Sequence, residues 1–411
     1  MVVTDLMPGV RGFRARSFVK SEGTDCRFSR RFARLHPQSC GNAGLGTEFY
    51  PGGGSKIGRK SKTRGDVRGC LSGTSSNQRE NEDPRGGNGA PNGRPRDRGL
   101  GSNCVNARGL HHVTAIIGDV RRAADFYAGV LGLKRVKKTV CYDDPGSYHV
   151  YYGDDIGNPG AVISTLAWNC VTPGLSGVGE VVQTAFRVAP DSLDGWVDRL
   201  NSSGVPNRLD VSPFGERMLC FADPDGTALS LVETWEKLPA TTVQNSTADR
   251  ALRGLHGVTL NVREEDETID ILQKVFDFQL VSQRNGAMRF VAHDGPGGTI
   301  TLCMIGKSSR GRLGGGTIRH VAFRASNLDD RSEMVEKLQS AYGIVVSDPI
   351  ERTYLNAVGF RAPCGVLFEI ATDGPGFAVD EAPERLGQQL QLPASLEERR
   401  AELAAILPPL T

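Results

Sequence analysis

From residue 109 onward, apolar positions follow one order of periods: a short strand-like run, a stripe at helical spacing, then two or three further strand-like runs. The order recurs four times, beginning near residues 110, 180, 254 and 317, about 65 to 75 residues apart, which marks an internal structural repeat. In the first unit Ala123, Phe126, Tyr127, Val130 and Leu131 form an i, i+3, i+4, i+7, i+8 stripe, predicting a helix whose apolar face packs on a sheet. Asp119 supplies an N-cap and Gly132 a left-handed C-terminal cap. Matching stripes are Leu193, Trp196, Val197 and Leu200 before Gly204; Ile269, Leu272 and Phe276; and Met334, Val335, Leu338 and Tyr342 before Gly343.

Runs rich in β-formers follow each helix, at 148–152, 217–222, 288–292 and 358–361, and turns such as Asp223-Pro224-Asp225-Gly226 and Pro363-Cys364-Gly365 close them. Final runs lie at 161–165, 228–232, 299–304 and 366–371. Each unit therefore reads as βαβββ, and the fold class expected is α+β.

The first 108 residues break this pattern. They hold 20 Lys/Arg against nine Asp/Glu, a net +11, whereas the remainder holds 29 against 38, a net −9, so the +2 of the whole chain describes neither part. Gly52-Gly53-Gly54 and the Asn-, Gly-, Pro- and Arg-rich stretch 81–98 offer too little apolar surface to offset the entropy of ordering, and 1–108 is expected to be a disordered basic segment. Residues 11–34 are rich in Arg, with Ser and Phe interspersed and Glu22 and Asp25 as the acids, in the manner of an organelle transit peptide. A plain tail or a gene start set too early accounts for the segment as well. The domain division expected is this segment, then 109–236 and 250–373 with two modules each, then a C-terminal extension 374–411.

No run of about 18 apolar residues occurs, so no helical membrane span is expected. The nine cysteines are scattered, with no C-x-x-C pair, which argues against a disulfide framework or a thiolate zinc site. The compartment expected is intracellular: cytoplasmic, or plastid or mitochondrion should the basic segment serve as a transit peptide.

Candidate chemistry lies in the histidines, seven in all. His111 and His112 open the first unit, His320 opens the fourth, and Glu369 sits among apolar residues in the last strand of the fourth. A carboxylate in such a strand needs a partner, because burying an unpaired ionised group is costly, and a metal would supply one. Singly, a strand-start His is commonly a hydrogen-bonded structural residue and a strand Glu commonly faces solvent. Jointly, two units sharing a sheet would bring first and last strands side by side, and two imidazoles with one carboxylate form the facial set that leaves positions open on Fe(II). His256 opens the third unit, but no carboxylate aligns in the closing strands 228–232 or 299–304, so units two and three are expected to be a structural half. His149 is expected to pack or to sit behind a ligand.

The chain resembles the vicinal oxygen chelate superfamily (glyoxalases, bleomycin-resistance proteins, extradiol dioxygenases) and, within it, ring-cleaving dioxygenases of the hydroquinone type. The resemblance covers about 110–410 and rests on Leu110-His111-His112-Val113-Thr114-Ala115, Leu131-Gly132-Leu133, Val136-Lys137-Lys138-Thr139-Val140, Tyr148-His149-Val150-Tyr151-Tyr152-Gly153-Asp154, Gly157-Asn158-Pro159-Gly160, Gly365-Val366-Leu367-Phe368-Glu369-Ile370-Ala371-Thr372-Asp373 and Pro375-Gly376-Phe377. It implies four βαβββ modules forming two paired half-barrel sheets, with the first and fourth modules making the active half. It implies that His112, His320 and Glu369 bind Fe(II), with Mn(II) as the alternative ion, and that His111, Thr114 and Arg352 act on substrate, His111 or Arg352 managing protons or charge on the ring oxygens.

The implied partners are a small aromatic molecule and O₂, with no nucleic acid and no membrane; whether copies form a homo-oligomer is not legible. Two positions depart from the family pattern: Arg319 stands where a His often precedes the second ligand, and Gly359 where a pocket Tyr is usual. The alternatives are a metal-dependent glyoxalase-like isomerase or lyase, which would need a second strand carboxylate that 161–165 lacks, and a non-catalytic small-molecule binding (resistance) protein of the same fold.

Overall fold

The computed structural model describes residues 108–168, 170–235, 251–263 and 267–410. Residues 1–107 of the basic segment, for which disorder was expected, lie outside the described residues, while Arg108 at its end pairs with Asp330. The first module is β1 (Leu110–Ile117), α1 (Val120–Ala124) running into a π-helical turn (Asp125–Val130), β2 (Lys134–Val140), β3 (Tyr148–Gly153) and β4 (Val162–Ala167). The second is β5 (Glu180–Val188), α2 (Leu193–Ser202), β6 (Asn207–Val211), β7 (Arg217–Ala222) and β8 (Ala228–Glu233). The third is β9 (Leu255–Val262), α3 (Glu267–Lys274), β10 (Gln279–Arg284), β11 (Ala287–Val291) and β12 (Thr299–Met304). The fourth is β13 (Ile318–Ala325), α4 (Leu328–Tyr342), β14 (Ile350–Arg352), β15 (Leu355–Arg361) and β16 (Leu367–Pro375). Short 3₁₀ turns and α5 (Arg400–Ile406) follow.

The modules assemble first with fourth and second with third. One eight-stranded sheet has the order β14-β15-β16-β13-β1-β4-β3-β2, the other β10-β11-β12-β9-β5-β8-β7-β6. Within a module the first and last strands run parallel, and the two modules of a sheet meet through antiparallel first strands, β1 with β13 and β5 with β9. This arrangement matches the expected four-module fold, and it places the opening strand of module one beside the opening strand of module four, with module four's closing strand next in order.

The sheets are tied to each other by backbone. Leu110 N–H donates to Gly297 O, Gly297 N–H to Leu255 O, Leu255 N–H to Gly160 O and Gly160 N–H to His111 O, all at 2.7–2.8 Å. Gly160 must be glycine on two counts: its φ is +84°, and a Cβ there would lie 2.4 Å from Pro296 O. The Gly-Asn-Pro-Gly motif is thus a seam between sheets.

Alternation sorts the side chains. In β1, Val113, Ala115 and Ile117 enter the large apolar core with α1 and α4 side chains such as Ala123, Met334 and Leu338. His112 and Thr114 point to the opposite face, yet are fully buried. Full burial of a large apolar side chain is worth about 1.5–3 kcal/mol, so this core fixes the strand register that presents His112 and Thr114 together.

Asp119 caps α1 as expected, its Oδ1 accepting from Arg121 and Arg122 N–H. The helix then departs from the expected α geometry: Leu131 N–H reaches Phe126 O, five residues back. The wider turn allows consecutive Phe126 and Tyr127 both to be buried, Tyr127 donating its hydroxyl to Asp223 at 2.9 Å. Among the described residues no helix is long and apolar enough to cross a membrane.

Candidate metal centre

His112 on β1, His320 on β13 and Glu369 on β16 converge on one face of the first sheet. Register explains it: His112 pairs with Ala322, Ala322 pairs with Glu369, and His320 lies opposite Thr114 one step along. The Nε2 atoms of His112 and His320 are 3.1 Å apart, and Glu369 places Oε1 3.7 Å from the first and Oε2 3.8 Å from the second. Donors about 2.1 Å from one ion at octahedral angles lie roughly 3 Å apart, so a triangle with these edges fits a single small divalent ion with modest closure. Burial pushes both histidines well below their ordinary pKa, leaving neutral rings with lone pairs available for a metal.

Arg352, at the end of β14, faces the carboxylate, with Nη2 3.2 Å from Oε2 and Nη1 3.4 Å from Oε1. Burial works against its charge, but Glu369 and Tyr151 hold its pKa above the ordinary value. An ionised carboxylate has about four acceptor sites, so Glu369 can serve Arg352 and a metal together.

His111 stands behind His112 rather than beside the donor triangle: the two Nδ1 atoms are 3.0 Å apart, and burial lowers the His111 pKa to about 4. Thr114 lies on the triangle's flank, its Oγ1 2.8 Å from His320 Nε2 and 2.7 Å from Ser164 Oγ. From Ser164 the polar chain continues to His149 Nε2 at 3.0 Å and from His149 Nδ1 to the Tyr151 hydroxyl at 3.3 Å. Tyr151 and Ser164 carried no motif of their own. The signal for them is period two: His149 and Tyr151 share one face of β3, and Ser164 is the cross-strand neighbour of both Thr114 and Tyr151.

The C-terminal segment covers this face. Phe377 packs on Tyr151 and Tyr354, with ring centroids 5.0 and 5.5 Å away. Fully buried Lys137 on β2 reaches Asp380 at 2.5 Å and Glu381 at 2.6 Å and lies over the Tyr354 ring.

The second sheet has no such donor set among the described residues. His256 aligns by register with His111: both occupy a bulge after a leucine, in Leu110-His111-His112-Val113-Thr114 and Leu255-His256-Gly257-Val258-Thr259. Gly257 pairs with Ala185, Ala185 with Ser230, and Thr259 with Gln183, so Gly257, Gln183 and Ser230 stand where the first sheet has His112, His320 and Glu369. A Cβ on Gly257 would lie 2.1 Å from Thr299 O. His256 instead lies 3.3 Å from Glu216, which Arg289 grips with two bonds of 2.8 Å.

The family model for the Glyoxalase/Bleomycin resistance protein/Dioxygenase superfamily matches residues 109–231 and 254–370. The chain belongs to this superfamily. A Bacillus subtilis (strain 168) relative named "Putative ring-cleaving dioxygenase MhqO" is 38% identical over 296 residues, covering 72% of this chain and 94% of the relative. The Sphingobium indicum "Chlorohydroquinone/hydroquinone 1,2-dioxygenase" is 27% identical over 306 residues, covering 72% and 94%. The crystal structure of a "putative dioxygenase from Bacillus subtilis" superposes with a TM-score of 0.70 at 37% identity, covering 74% of this chain and 98% of that one. Superfamily membership accounts for the module pairing, and the centre described here occupies the pairing of modules one and four.

Proposed function

We propose that the protein is a ring-cleaving dioxygenase of the extradiol type that opens a hydroquinone or catechol-like ring with O₂, using Fe(II), with Mn(II) as the alternative ion, held by His112, His320 and Glu369. The observation that carries this is the buried set of two neutral imidazoles and one carboxylate on a single sheet face, supported by the ring-cleaving dioxygenase names of relatives that align over nearly their whole length. When bound, such an ion supplies a positive centre at which a phenolate and O₂ are held together, removing the entropic cost of their encounter.

The chain's own residues supply the rest. Arg352 pairs with the Glu369 carboxylate that faces the two histidines, and its remaining N–H groups favour an anionic ring oxygen beside the carboxylate. His111 holds the His112 ring so that Nε2, not Nδ1, faces the centre. The series Tyr151, His149, Ser164, Thr114 is a continuous run of hydrogen-bonded polar groups ending at the Thr114 hydroxyl on the flank of the centre, and it takes up or returns the proton of a ring hydroxyl. Phe377, on the C-terminal segment, and Tyr354, in the turn between β14 and β15, exclude bulk water from this face.

The test uses the full chain, reconstituted anaerobically with Fe(II). One ion per chain and oxygen uptake with methylhydroquinone, chlorohydroquinone or catechol are expected, with both lost in His112→Ala, His320→Ala and Glu369→Ala. Wild-type behaviour of these three variants would overturn the proposal, as would isomerisation of a thiol adduct without oxygen uptake.

A further inference from the structure

The bulge that sets His320 in place also aims the residue before it. Between the pairs Thr114–His320 and Ala115–Ile318, β13 carries one more residue than β1, and that residue is Arg319. A bulge sets two residues opposite one and re-aims their side chains. Ile318 and Val321 both enter the apolar core, so the two residues between them, Arg319 and His320, turn to the opposite face, and Arg319 reaches Asp143, whose neighbour Tyr142 bonds Thr353 next to Arg352. The Arg319 side chain is 31% exposed, and its ion-pair partner among the described residues is Asp143, 3.7 Å away and 79% exposed. A pair so exposed contributes little and is readily exchanged for a ligand. Arg352, by contrast, is only 14% exposed and already pairs with Glu369.

The charge balance of the site has the same sense. Glu369 is the acid facing the centre, against Arg352 and Arg319, and a divalent ion would add to the positive side. A phenolate oxygen offsets part of that surplus; a second anionic group on the ring would offset more.

We propose that Arg319 is a specificity-determining residue whose planar fork binds a carboxylate on the aromatic ring, so that the preferred substrates are hydroquinones carrying an acidic substituent. This rests on the ring-cleaving function proposed above and names its substrate class. The full-length enzyme, Arg319→Gln and Arg319→Lys are compared with carboxyhydroquinone, carboxymethylhydroquinone and methylhydroquinone. Two readouts are taken, kcat/KM from oxygen uptake and Kd from anaerobic calorimetry.

Wild type is expected to favour one of the carboxylated compounds. Arg319→Gln should weaken that compound roughly 10- to 100-fold, the size expected for a charge-assisted pair, and leave methylhydroquinone within about twofold. Arg319→Lys should retain most of the preference. Equal or better use of methylhydroquinone by wild type, or an equal loss for all three compounds in Arg319→Gln, overturns the assignment. If no compound supports oxygen uptake, the ring-cleaving function falls, and calorimetry still decides whether Arg319 selects a carboxylated ring.

Discussion

The Nδ1 atoms of His111 and His112 lie 3.0 Å apart with their rings at 83° to each other, both side chains buried. One of these nitrogens must carry the shared proton. His112 directs Nε2 toward His320 and Glu369, so a ligating His112 carries its proton on Nδ1 and donates it to His111. His111→Phe removes the acceptor and frees the other tautomer. The expected result is a 10- to 100-fold loss of metal affinity, measured by competition with a chelating dye, with the metal-free fold retained. Unchanged affinity would show that the neighbouring ring has no part in positioning the ligand.

Histidines buried in the neutral form make stability fall with acid. His111 has a folded-state pKa of about 4 against 6.5 when exposed, and His112, His149 and His320 are displaced in the same direction by burial. Between these values the unfolded chain takes up protons that the folded chain refuses. Stability of the metal-free protein is therefore complete above about pH 6.5 and lost progressively toward pH 4, with His111 alone accounting for about 3 kcal/mol. Glu180, pushed up to about 7 by burial, acts in the opposite direction over part of this range. Urea midpoints measured across this interval check the sign, and His111→Phe should give a shallower decline.

His112, His320 and Glu369 could be singled out before the structure because they combine two legible features, a repeated strand order and chemically distinctive residues in its first and last strands, and the structure brings the three together. Which modules pair was not in the periodicity; the expectation that the first and fourth pair came from the resemblance to the superfamily. Local hydrophobic periodicity did not specify the π-helical turn at Asp125–Val130, because an i, i+4, i+7 stripe fits α and widened geometry alike, and the Tyr127–Asp223 bond that accompanies it spans two modules. His256 aligns with His111, not with His320 as its place at the head of a module had suggested. The reason is the bulge: one extra residue shifts which side chain reaches the site face, and no periodicity shows it. Arg319 was visible as a cation beside His320, but its direction depended on a second bulge.

The second sheet cannot be restored to a metal site by supplying ligands. Gln183→His and Ser230→Glu would place two donors at positions equivalent to His320 and Glu369, but the third position is Gly257, whose Cβ would meet Thr299 O at 2.1 Å. The double variant should still bind one ion per chain. Gly257→Ala should cost roughly 1–3 kcal/mol through displacement of β9 from β12, read as a lower urea midpoint. A second equivalent of tightly bound metal would refute the register equivalence.

Lys137 holds the C-terminal segment over the centre. Its ammonium is wholly buried, and Asp380 and Glu381, at 2.5 and 2.6 Å, belong to the segment that also carries Phe377. Lys137→Met keeps most of the side-chain volume but leaves Glu381, whose side chain is 5% exposed, without its cation. Breaking one side of a buried ion pair typically costs about 3–5 kcal/mol. The loss should be local first, because residues 376–410 join the sheet through few backbone bonds, among them Gln391 N–H to Lys138 O. Limited proteolysis of Lys137→Met should therefore cut between 376 and 390 well before the sheets open. Oxygen uptake should fall as water reaches the uncovered face, while iron content at saturating metal stays at one per chain. Protection equal to wild type would place the hold on this segment in the Phe377 packing instead.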